Sequence, residues 1–175
     1  MNENFIISLN GLPQGKSEFR RHADKAFFDG FGNSEILDAD LDVLITVDKS
    51  GKWLGVDVEV EGTLSVECDR CLEKLDYPVE TAAYLSVKFG EEPSESTEPK
   101  EGEREIVFVP QDNTDLDLSQ VVYDYSVLTL PLQRVHEDGK CNPKTIAFLN
   151  NQAAKTEENK EATNSPFAGL KDLLK

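Results

Sequence analysis

Basic residues are scarce in this chain. Of 175 residues, 18 are Lys or Arg against 34 Asp or Glu, which gives a formal net charge of −16 at pH 7. Such a surface repels phosphate backbones, so broad, unspecific nucleic-acid binding is disfavoured and a basic protein partner suits it better. Much of the acidity sits in segments that read as solvated, so the folded part is less extreme than the total. Cysteine is scarce as well: there are three, an odd number, too few for a disulfide scaffold. No run approaches the ~18 apolar residues that a membrane span needs. The opening Met1-Asn2-Glu3-Asn4-Phe5 has no basic region and no long apolar core, so no signal peptide is legible. Neither G-x-G-x-x-G nor G-x-x-x-x-G-K-[ST] occurs, which removes the common phosphate loops. These absences point to a cytoplasmic protein with no membrane partner and no evident small-molecule substrate.

What is present is a strong β pattern. Leu41, Val43, Ile45 and Val47 alternate with other residues, the period of a half-buried strand. Asp48-Lys49-Ser50-Gly51-Lys52 turns the chain, with Gly51 able to take positive φ. A second alternating run extends from Trp53 to Glu67 through Val56, Val58, Val60, Leu64 and Val66. Two further strands are expected between Leu72 and Phe89, with Pro78 confining its stretch to an edge or a bulge. Phe5–Leu9 and Ile106–Val109 read as short strands. Phe19, Ala23, Ala26 and Phe27 fall at helical spacing, although the flanking Gly30 and Gly32 blur that pattern. From the N-cap candidate Asp117, the residues Leu118, Val121, Val122, Tyr125 and Leu128 fit a helix near 117–129 that ends at Pro131. The fold class expected is therefore α+β, an antiparallel β-rich meander with one main helix and a short C-terminal helix. One domain spans 1–150, with a mobile acidic loop at 90–105 that holds no apolar residue. A flexible linker follows at 151–165, then an amphipathic tail at 166–175 that carries Leu170, Leu173 and Leu174 on one face.

The chemistry concentrates where the second strand ends, at Cys68-Asp69-Arg70-Cys71. A Cys-x-x-Cys at a strand-to-strand turn can place both sulfurs on one side, the usual half-site for tetrahedral Zn²⁺. The same spacing serves thiol redox chemistry, though that normally accompanies a βαβ pattern, and none precedes it here. His136 and Cys141 lie together in a later loop that contains Gly139. With Cys68 and Cys71 they complete a Cys₃His set, one of the closed combinations for structural zinc. Free cysteine also occurs as a small buried hydrophobe, and His136 can be an ordinary loop residue. No nucleophile–base pair can be assembled, and the other histidine, His22, has no Ser or Cys beside it. The cations Arg20, Arg21, Arg70 and Lys74 are candidates for RNA or partner contact, against the plainer reading of a solvated surface.

The sequence resembles the YceD family, the large ribosomal RNA subunit accumulation proteins, in its Bacteroidetes-type branch. The likeness runs from about Ile36 onward. It is carried by Gly62 to Val66 leading into Cys68-Asp69-Arg70-Cys71-Leu72-Glu73, by Asp117-Leu118-Ser119, and by Leu128-Thr129-Leu130-Pro131-Leu132. After these come His136…Gly139-Lys140-Cys141-Asn142-Pro143 and Pro166-Phe167-Ala168-Gly169-Leu170-Lys171-Asp172-Leu173. Many members carry a second Cys-x-x-Cys-Gly element, whereas this chain keeps Cys141 with His136 nearby. The resemblance implies ribosome biogenesis and no known catalytic activity. The function expected is a non-enzymatic factor supporting large-subunit rRNA accumulation, bound to pre-ribosomal large-subunit RNA or to a basic ribosomal protein. The alternatives are a zinc-stabilised protein-interaction module with no ribosomal role, and a thiol-redox enzyme.

Overall fold

A computed structural model of the chain describes residues 5–51, 53–90, 104–110 and 114–158. It divides into two compact units, the first formed by 1–67 and 74–134, the second by 68–73 and 135–175. In the first unit the strands are β1 (Ile6–Ser8), β2 (Gly15–Asp24), β3 (Ile36–Ser50), β4 (Trp53–Glu67), β5 (Lys74–Phe89), β6 (Glu105–Val109) and β7 (Asp115–Asp117). Two helices accompany them, α1 (Lys25–Gly30) and α2 (Ser119–Leu128). The main sheet has the order β2-β3-β4-β5-β6, and β1 pairs with β7 in a separate two-stranded ribbon. The fold class is α+β and rich in antiparallel strands, as the alternation predicts. The one parallel pairing in the main sheet is β5 with β6, Leu85 opposite Glu105 through Phe89 opposite Val109.

The β3–β4 hairpin sets the frame. Ser50 pairs with Trp53 across a two-residue turn in which Gly51 has φ 62°. Leu41, Val43, Ile45 and Val47 face Val56, Val58 and Val60, and all seven are buried. Burying a side chain of this size contributes about 1.5–3 kcal/mol. A bulge between Ile36 and Asp38 shifts the alternation, so that even-numbered Ile36 and odd-numbered Ala39 both turn inward. Gly62 lies opposite Leu41, and the backbones approach so closely that a Cβ would collide with the Asp40 carbonyl oxygen.

Three local expectations change. Phe19 and Ala23 belong to β2, because their side chains pair with Ile45 and Leu41. Strand pairing overrides the local helical spacing, and the helix begins only after Asp24, whose Oδ1 accepts the Phe27 N–H at 3.2 Å. The stretch read as two strands after Leu72 is one continuous strand, β5. Pro78 fits in it because β5 pairs with β6 only from Leu85 to Phe89, so Pro78 occupies an edge. Helix α2 starts two residues after Asp117, whose Oδ1 accepts the Ser119 N–H at 2.8 Å. Leu118 and Val122 point inward, while Leu128 is exposed.

The second unit contains helix α3 (Pro143–Glu158), which occupies the first part of the span expected to be linker. The acidic segment 91–103 and the amphipathic tail 166–175 lie outside the described residues. No helix among the described residues is long and apolar enough to cross a membrane.

Candidate metal centre

Strand β4 ends at Glu67 and β5 opens at Lys74, its register partner, so residues 68–73 must reverse the chain in six positions. The Cys68 N–H donates to the Glu73 carbonyl at 2.9 Å, and the Leu72 N–H donates to the Cys68 carbonyl at 2.8 Å. The turn leaves Leu72 in the left-handed region, with φ 61°. For a non-glycine residue this costs about 1–2 kcal/mol. The later loop turns at Gly139, φ 82°, where the Lys140 N–H donates to the Glu137 carbonyl at 2.9 Å. Cys141 follows, and Asn142 then caps α3, its Oδ1 accepting the Lys144 N–H at 2.9 Å, with Pro143 as the first helical residue. The Asn142 side-chain amide also donates to the Glu73 carboxylate, tying the helix start to the cysteine turn.

Within this unit Cys68, Cys71, His136 and Cys141 converge. Their ligand atoms all lie within 4.8 Å of one another. Cys68 Sγ is 3.9 Å from Cys141 Sγ, and His136 Nδ1 is 3.4 Å from Cys71 Sγ and 4.0 Å from Cys141 Sγ. Tetrahedral coordination with Zn–S near 2.3 Å and Zn–N near 2.05 Å requires edges of about 3.8 Å (S···S) and about 3.6 Å (S···N). Three of the six edges lie within about 0.4 Å of these values, and none of the six exceeds 4.8 Å. The donor set therefore fits a metal such as zinc, and four protein ligands leave no open position for a substrate. All three cysteines are free thiols and buried, Cys68 completely.

The sulfurs are not electrically alike. Burial pushes the Cys68 thiol up, but backbone N–H groups of His136, Arg70 and Cys71 donate to its sulfur and outweigh that, lowering it to about 6. Cys141 moves the other way, raised by burial and by hydrogen bonding and repulsion from the neighbouring sulfurs. A thiol lowered in this way favours the thiolate form that binds a metal cation. It does not suit exchange with a protein disulfide, which needs an accessible sulfur.

The four cations are dispersed. Arg70 is exposed in the cysteine turn and makes no ion pair among the described residues. Lys74 lies 3.3 Å from Asp38 and 3.6 Å from Asp76. Arg20 and Arg21 are on β2, which β3 and β4 separate from Lys74 on β5. The Arg21 guanidinium lies over the Phe19 ring at 5.8 Å, and Arg20 and Arg21 line one cavity with Asp42, Glu59 and Glu61. Sequence reasoning missed Asn142 and α3, although Asn-Pro is a helix-start signal. It also passed over Leu72, whose conformation a leucine does not advertise.

One unit with an antiparallel β-rich sheet and a second with a Cys₃His cluster of buried sulfurs define an α+β protein with a structural-type metal-ligand set. The chain belongs to the YceD family. The family's model, described as large ribosomal RNA subunit accumulation protein YceD, matches residues 56–174 and so includes all four candidate ligands. No curated protein and no solved structure matches the chain.

Proposed function

We propose that this chain is a non-enzymatic ribosome-biogenesis factor that supports accumulation of large-subunit ribosomal RNA by binding a pre-ribosomal component. Cys68, Cys71, His136 and Cys141 hold a structural zinc ion that keeps the cysteine turn rigid. The observation that carries this reading is the Cys₃His set gathered within 4.8 Å, in a chain of the large-subunit RNA accumulation family. A fully occupied protein ligand sphere suits scaffolding and not catalysis.

The sheet supports a basic protein partner. Asp42, Glu61 and Glu80 lie directly opposite one another on β3, β4 and β5, and all three are exposed. Like charges in cross-strand register destabilise a sheet, so folding alone does not favour this row. A lysine- and arginine-rich surface would neutralise it. Arg70 is the cation best placed for an RNA phosphate, since Lys74 is already engaged by Asp38 and Asp76. The test is co-sedimentation of the full chain with large-subunit precursor particles at low and high salt. Binding should fall with salt and with charge reversal at Glu61. Salt-insensitive binding, or no binding to the particles, would overturn the reading.

A further inference from the structure

Among the described residues, every position of positive φ is a glycine except Leu72. The turn holds Leu72 in the left-handed region, which glycine would occupy without steric cost. The leucine is left mostly in water, 70% exposed, while Cys68 and Cys71 on the same turn are buried. A single exposed leucine is ordinary, but a branched apolar side chain at a strained, glycine-demanding position is not explained by folding. Backbone strain that folding does not need accompanies contact with a ligand or partner.

We infer that Leu72 is an apolar anchor, inserted into an apolar pocket on a basic protein. The charges around it select the partner. Asp69 and Glu73 flank it on the same turn, both exposed. His136, which touches Cys71, is followed by exposed Glu137 and Asp138, and Lys140 is paired with Glu137 at 2.7 Å. Arg70 is also exposed on this turn, but the carboxylates around the anchor outnumber it, so a pocket rimmed by Lys and Arg complements the surround better than a phosphate backbone does. Holding the turn rigid through its buried sulfurs lowers the entropy lost when the anchor docks. This inference rests on the proposed ribosomal role and narrows it to one residue and one class of partner.

The test uses the full chain as wild type, Leu72→Gly and Leu72→Met. Each is offered the protein fraction extracted from purified large ribosomal subunits and, separately, protein-free large-subunit rRNA. Leu72→Gly should melt at or above the wild-type temperature and keep its three thiols protected from alkylation. Its binding to the protein fraction should nevertheless drop about tenfold or more, with Leu72→Met within about threefold of wild type. Unchanged binding by Leu72→Gly overturns the inference and leaves the ribosomal reading standing. A lower melting temperature or newly reactive thiols would make Leu72 a structural residue and overturn it too. Wild-type binding to rRNA but not to the protein fraction rejects the partner class. Binding to neither probe overturns this inference and the ribosomal reading together.

Discussion

The two units of this protein are held by different physics. In the first, long strands withdraw Leu41, Val43, Ile45, Leu64 and Leu85 from water, and stability comes from apolar area spread over many residues. In the second, three sulfurs and one imidazole gather within 4.8 Å, and the described apolar residues of α3 contribute little, Phe148 and Leu149 both being exposed. A distributed core loses a fraction of its stability with each truncation. A four-ligand centre loses nearly everything with one, because metal binding is itself the folding free energy of such a unit. That contrast gives sharp ways to break the molecule.

The largest effect is expected from metal loss. Cys71→Ser or Cys141→Ser should abolish bound zinc and the amide-exchange protection of residues 68–73 and 135–150, while β3 and β4 stay protected. Loss of protection in both units at once would show that they are not energetically distinct. Next is Gly62→Ala, whose new Cβ would collide with the Asp40 carbonyl. It should destabilise the sheet unit by about 3 kcal/mol in denaturant titration and leave zinc content unchanged. Leu64→Ala should cost a similar amount, about 2–5 kcal/mol, through the cavity it leaves.

A pH series sharpens the comparison. Cys68 is depressed in the folded chain, from 9.0 to about 6, so the folded state binds fewer protons than the unfolded one. Its contribution is fully present above pH 9 and is lost as the pH falls toward and through 6. In metal-free protein, whatever fold the second unit retains should therefore lose amide protection as the pH drops across that window, with the β3–β4 amides insensitive. The smallest effect is expected at Asp76, whose carboxyl is held low chiefly by the Ser65 hydroxyl, which donates to it at 2.6 Å. Ser65→Ala should raise the Asp76 midpoint in an NMR titration and do little else.

How much could be read in the letters differs between the units as well. The β3–β4 hairpin was legible because period-2 burial writes itself directly into alternating Val and Leu, and Gly51 marks the turn. The clustering was legible because all three cysteines and one of the two histidines lie in the two loops. Pairing partners were not. Whether Phe19 sits in a helix or a strand is decided by Ile45 across the sheet, and whether β6 runs parallel is decided by where the chain re-enters beside β5. Helix α3 was obscured because its described apolar residues, Ile146, Phe148 and Leu149, do not form a regular buried stripe. Leu72 was invisible for the opposite reason: leucine is the wrong residue for its backbone, and only the coordinates expose the mismatch.

Cobalt substitution of the full chain tests the central claim most directly. The account expects about one Co²⁺ per chain with the intense visible bands of tetrahedral thiolate coordination, lost in Cys71→Ser and displaced by zinc. A folded wild-type chain that takes up no cobalt, or binds it only in an octahedral oxygen environment, would contradict it.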